Sequence, residues 1–276
     1  MKCTSSKWLG LAMVAVLAIG ASSGGAAERK ARPKAGDFNP AHESVELFAA
    51  VDAGQIEVRV IPRDSTRARV LIENKTDQPL NVQLPEAFAI QPVLAQFGGQ
   101  GGGQQGGGGG GQQSGGGGFG GGGGQQGGGG GFFNVAPEKV GQIRVEIVCL
   151  EHGKADPRPA VPYELKPISA FTSDTKVHEL CKLLGQGEYS QRAAQVAAWH
   201  LADGMSFDEL ASKEIRRLNG EHYPYFNREE MLAGIQMSQQ AAREAAAAAE
   251  ASTAQASPGA QAGASEQAST EQATEE

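Results

Sequence analysis

The sequence predicts an α+β fold, an antiparallel β-sandwich of five to seven strands followed by a small helical module. Three observations predict it. Before residue 150 the apolar residues alternate with polar ones in short runs, as strands with one buried face require. Polar turns separate those runs, which suits antiparallel neighbours. After residue 171 the apolar spacing changes to that of helices.

The elements follow in chain order. Lys2 and Lys7 make a positive start, and Trp8 to Ile19 is an apolar stretch of signal-peptide length. It is too short to cross a bilayer, which takes roughly 20 apolar residues. Small residues at Gly25 and Ala27 place the signal-peptidase cut after Ala27, so residues 1–27 are expected to be a signal peptide. Cys3 precedes the apolar run, the wrong side for a lipoprotein. Residues 28–43, with Arg29, Lys30, Arg32 and Lys34, are expected to be a flexible linker.

Residues 44–170 hold the predicted sandwich. Ser44 can cap a short helix carrying Leu47, Phe48 and Val51, with Gly54 as its stop. Three alternating runs follow, Ile56/Val58/Val60, Ala68/Val70/Ile72 and Leu80/Val82/Leu84. The turn from Asn74 to Pro79 reverses the chain between the last two. Further on, Ile143, Val145, Ile147 and Cys149 alternate with Arg144 and Glu146, and Tyr163 to Lys166 suggests one more strand.

Residues 98–131 interrupt this domain with only Gly, Gln, one Ser and one Phe; 25 of the chain's 40 glycines lie in those 34 positions. Such a composition offers nothing to bury, so a disordered insertion is expected. A fold can carry it, because growing a loop from about 4 to 34 residues costs roughly 2 kcal/mol of closure entropy.

The helical module is expected over residues 171–250. Val177, Leu180, Cys181 and Leu184 share one face, ended by Gly185. Ser190 caps a second helix with Ala194, Ala197, Ala198 and Leu201, and Trp199 reads as core. Ser206 with Glu209 makes a capping box, and Asn227 with Glu230 repeats that spacing before a long helix. Residues 251–276, in Ala, Ser, Gln, Thr and Glu, are expected to be a disordered tail.

Charge and composition narrow the function. A net charge of -7 and a pI near 5.4 argue against a nucleic-acid partner. The histidines at 42, 152, 178, 200 and 222 have no zinc spacing, so no metal, cofactor or catalytic set is expected. Removing the signal leaves Cys149 and Cys181. Cys149 lies on the inward side of its strand and Cys181 on the apolar stripe of its helix, so a disulfide between them is expected, stabilising by roughly 3–4 kcal/mol. A cysteine–histidine pair using His152 or His178 has no supporting signature.

Three runs carry a resemblance: Asn74 to Phe88 (NKTDQPLNVQLPEAF), Val148 to Lys154 (VCLEHGK) and Gln195 to Gly204 (QVAAWHLADG). They resemble an uncharacterised family of secreted bacterial proteins with glycine-rich insertions, over most of residues 40–235, a likeness that implies organisation and no activity. Gln195-Val-Ala-Ala-Trp199 is also similar to the glutamine motif of bacterial surface thioester domains. That likeness implies a thioester between Gln195 and Cys181, or Cys149, although the cysteine-side motif of those domains is missing.

The expected function is therefore an exported, non-catalytic envelope or cell-surface protein that binds or scaffolds. Its place would be the periplasm or the cell surface, its partner a protein or envelope component, and its mature chain would have no transmembrane segment. The alternative is a covalent adhesin or an enzyme working through a cysteine.

Overall fold

A computed structural model describes residues 38–93, 111–120 and 131–255. The signal peptide with its cut after Ala27, most of the linker, and the tail from residue 256 lie outside the described residues.

Six strands close into an antiparallel barrel in the order β2 (Ile56–Pro62), β3 (Arg67–Asn74), β8 (Val140–Cys149), β6 (Gly115–Gly117), β5 (Phe88–Pro92) and β9 (Tyr163–Pro167). The ring shuts where Val60 of β2 pairs with Tyr163 of β9. A second sheet holds β1 (Glu43–Glu46) parallel to β4 (Leu80–Gln83), with β7 (Phe132–Val135) antiparallel on the other edge of β4. The barrel replaces the expected sandwich. Alternation of apolar and polar residues is common to both, since each buries one face of every strand. What decides between them is β6, which joins β5 to β8 and consists of glycine. The fold remains α+β.

Residues 111–120 thus correct the reading of the whole Gly/Gln tract as an insertion unable to contribute to a core. Within them Gln113, Ser114 and Phe119 are buried. Phe119 joins Phe88, Ile147 and Val70 in the barrel core, its ring centroid 4.6 Å from that of Phe88.

α1 (Leu47–Asp52) starts later than expected. Ser44 lies in β1, and Glu46 caps the helix by accepting from the Ala49 amide at 2.7 Å. α2 (Ile168–Phe171) leads into α3 (Thr175–Gln186), α4 (Gln191–Asp203), α5 (Phe207–Ser212) and α6 (Arg228–Gln255). Ser190 caps α4, and both bonds of the Ser206–Glu209 capping box form. Gly185 does not end α3: the left-handed residue is Gly187, at φ 76°. A hairpin absent from the sequence reading, β10 (Glu214–Arg216) with β11 (His222–Pro224), joins α5 to α6.

The helices cover the outer face of β5, β6 and β8, where Ala89, Val148 and Leu150 pack with Leu180, Cys181, Leu184, Ala194 and Met237. The wall of the barrel therefore separates two cores. Inside lie Val145 and Ile147 of β8; outside lie Val148 and, just past the strand, Leu150.

Candidate functional site

Geometry converges on the end of β8 and the turn after it. β3 pairs with β8 only as far as Arg67–Glu146, with Thr66 accepting from the Ile147 amide. Beyond that point α4 takes over. Gln191 donates from Nε2 to the Ile147 carbonyl at 2.9 Å. Gln195 accepts at Oε1 from the Cys149 amide and donates from Nε2 to the Cys149 carbonyl, both at 2.9 Å. Two glutamines one helical turn apart thus continue the ladder where the neighbouring strand ends, satisfying main-chain groups that burial would otherwise leave unpaired.

This arrangement decides the fate of the cysteines. Both thiols are free, which corrects the expected disulfide. The reason is the barrel wall. By the alternation of the strand Cys149 follows Val145 and Ile147 towards the inner face, and its Sγ–H donates to the Ser65 carbonyl at 3.7 Å. Cys181 sits on the outer face beneath Gly116. Burial pushes the Cys181 thiol up to about 12 and the Cys149 thiol well above the ordinary thiol range, the latter helped by the Asp156 and Asp203 charges. Both are therefore protonated, and a protonated thiol is a poor nucleophile. Gln195 spends its whole carboxamide on the main chain of Cys149, and the structure does not bring it to the Cys181 thiol.

After Cys149 the chain turns through Glu151-His152-Gly153, and Leu150 and Glu151 line a cavity of about 350 Å³. Apolar Leu150, Phe171, Val177 and Leu201 line it together with polar Glu151, Thr172, Asp174 and Asp203. Each carboxylate is held in place. Asp174 accepts from the Lys176 amide as the cap of α3. Asp203 accepts from the His152 amide at 3.0 Å; burial raises its carboxyl pKa despite that bond. Glu151 pairs with Lys154 and accepts from the Ser114 amide at 2.8 Å; although burial pushes its carboxyl up, those partners hold it below the usual range.

Beside the cavity the His152 ring meets Trp199 edge-on at 4.7 Å, and its Nε2 lies 2.8 Å from Lys213 Nζ. Burial first, and Lys213 second, hold this imidazole below its ordinary pKa. Lys213 also lies over the Trp199 and Tyr225 rings, and Arg192 over Tyr225 and Phe226. Trp199 is core, as its sequence position suggested.

The other histidines are bound to structural partners: His42 to Asn39 and Asn134, His178 to the Thr172 carbonyl, His200 to the Met205 carbonyl and His222 to Glu214. Neither His152 nor His178 bonds a cysteine. Among the described residues no three His, Cys, Asp or Glu side chains group as metal ligands, and no helix is long and apolar enough to cross a membrane. Sequence reasoning singled out Cys149, Cys181, His152 and Gln195 but missed Asp174 and Asp203; a cap and a helix C-terminal Asp carry no pattern that sets them apart. Comparison with protein-family models, curated proteins and solved structures finds no match to this chain.

Proposed function

We propose that the protein is an exported, non-catalytic binding or scaffolding protein of the cell envelope or cell surface. Its ligand site is the cavity beside the Glu151-His152-Gly153 turn, and its ligand presents a cationic group on an apolar stem, such as an alkylamine or a lysine side chain. The observation that supports this reading is the lining of the cavity, where Leu150, Phe171, Val177 and Leu201 share one depression with the carboxylates of Glu151, Asp174 and Asp203. An ammonium group can replace its water with such oxygens while its stem covers Leu150 and Leu201. The cysteine chemistry of the alternative lacks support, because both thiols are buried and the Gln195 carboxamide is engaged elsewhere.

Calorimetry with hexylamine and hexanoate tests the ligand class. Hexylamine is expected to bind with hexanoate silent, and Asp203→Asn to weaken binding about tenfold, the loss of one charge-assisted contact. Equal affinity for the two probes, or turnover of an ester, peptide or glycoside panel, overturns the reading. Export is tested by the mass of the protein recovered from the producing cell, which should begin at Glu28.

A further inference from the structure

The glycine strand is recognised by what it lacks. A Cβ on Gly116 would lie 2.6 Å from Cys181 Sγ, and one on Gly118 2.5 Å from the Cys181 carbonyl and 2.6 Å from that of Glu86. One on Gly120 would lie 2.5 Å from the Gly185 carbonyl. From the other side, a Cβ on Gly185 would meet the Gly118 main chain at 2.8 Å. Contacts this close to backbone leave no room for a side chain. Both edges of the strand are paired, with Ile90, Ala89 and Phe88 of β5 and with Cys149, Val148 and Ile147 of β8. Phe119 anchors one end in the barrel core, and the other end is held by the Ser114 amide on Glu151 and by Gln113 Nε2 on Asp156 at 2.7 Å.

The same ligand is written twice. Residues 112–119 read Gln-Gln-Ser-Gly-Gly-Gly-Gly-Phe and residues 125–132 read Gln-Gln-Gly-Gly-Gly-Gly-Gly-Phe, differing only at Ser114 and Gly127. The second copy ends on Phe132, which β7 holds opposite Gln83; the first is the one that lies between β5 and β8. It is joined to β5 and β7 through residues 94–110 and 121–130. The shorter of these connections can span up to roughly 35 Å when extended.

We propose that the gap between β5 and β8 is a strand-acceptor site for a Gln-Gln-Ser-Gly-Gly-Gly-Gly-Phe strand, and that a second copy of the chain fills it, linking molecules by strand exchange. The inference rests on the packing of the barrel and is independent of export and of the cavity's ligand. Every bond the strand makes is identical whichever copy supplies it, so the two arrangements differ mainly in the entropy of association. A tethered strand acts at an effective concentration of order millimolar. The intramolecular strand therefore prevails in micromolar solution, and exchange prevails near millimolar concentration or when a chain's own strand is barred.

Two full-chain variants separate strand from slot. Gly118→Val bars the strand but keeps the slot; Gly185→Val blocks the slot but keeps the strand. Cys181, beneath the strand, reports occupancy. In Gly118→Val alone it is expected to react with iodoacetamide about a hundredfold faster than in the wild type. Mixed with Gly185→Val, it should return to within about threefold of the wild-type rate, and native mass spectrometry should show a one-to-one heterodimer. A mixture that stays monomeric, with Cys181 reacting as fast as in Gly118→Val alone, overturns the proposal. If either variant fails to fold, the wild type decides: nitrogen-14 and nitrogen-15 chains refolded together from urea near millimolar concentration should give mixed dimers that persist on dilution. Monomer alone, or dimers that separate at once, overturns it equally.

Discussion

Strands β6 and β8 lie side by side in one barrel wall and are specified on opposite terms. β8 presents ten residues whose side chains fill both faces towards its end, Val145 and Ile147 inward, Val148 and then Leu150 outward. β6 presents three glycines and is held by backbone pairing on both edges and by a helix that meets Gly116 through Cys181 and the following Gly118 through Gly185. For β8 the information lies in the residues that fill space; for β6 it lies in the neighbours that leave none. A strand without side chains can therefore be as well defined as one built from β-branched residues, provided that the surrounding shape admits glycine alone.

Substitutions break the comparison most sharply where backbone meets backbone. Gly118→Val should lower stability by about 3 kcal/mol or more, since neither the Cys181 nor the Glu86 carbonyl can retreat as a flexible side chain would. Chemical denaturation measures this; a loss below about 0.5 kcal/mol would mean that the strand is dispensable. On the β8 side, Gln195→Ala strands the buried amide and carbonyl of Cys149 and should cost about 2–4 kcal/mol. Gln195→Glu, which keeps the acceptor and loses the donor, should not restore the wild-type midpoint.

These two positions also mark what was legible in the sequence. The strands β2, β3, β8 and β9, the caps at Ser190 and Ser206 and the burial of Trp199 follow from spacing alone. The glycine strand does not, because a run with no side chains has no period to read. Of Gly185 and Gly187, either could end α3; only the presence of Gly118 opposite shows which one is needed for close approach. The parity of β8 puts Cys149 on the side of Val145 and Ile147, but parity cannot say on which face the helices pack. The unbroken apolar run from Ile147 to Leu150 was the available signal, since a strand covered on both faces reads that way. Of the candidate site, the Glu151-His152 turn was visible, whereas Asp174 and Asp203 joined it only through folding.

Alkaline pH sharpens the comparison of the two faces, one thiol on each. Both thiols ionise at higher pH in the folded chain than in the unfolded one, because burial disfavours the thiolate. Their contribution is complete below the ordinary thiol pKa near 8.5 and is lost as pH rises from there towards 12. Stability should fall by about 1.4 kcal/mol per pH unit for each thiol in that window. Cys181→Ala should flatten the profile by one thiol's share, as urea midpoints taken from pH 8 to 11 would reveal; an unchanged slope would place Cys181 in water.

The smallest expected effect falls at the end of β6. Ser114→Gly, which gives the strand the sequence of residues 125–132, should cost about 0.5–1.5 kcal/mol through backbone entropy and the loss of the hydroxyl beside Glu151. An effect larger than that of Gly118→Val would reverse the order on which the comparison stands.

Amide hydrogen exchange across residues 111–120 of the full chain tests most directly whether glycine closes the barrel. The Gln113 amide, bonded to the Ala155 carbonyl, and the Leu150 amide, bonded to the Ser114 carbonyl, should exchange about a thousandfold or more slower than free chain. Exchange of both at the rate of unstructured peptide, with β3 and β8 still protected, would contradict the closed barrel.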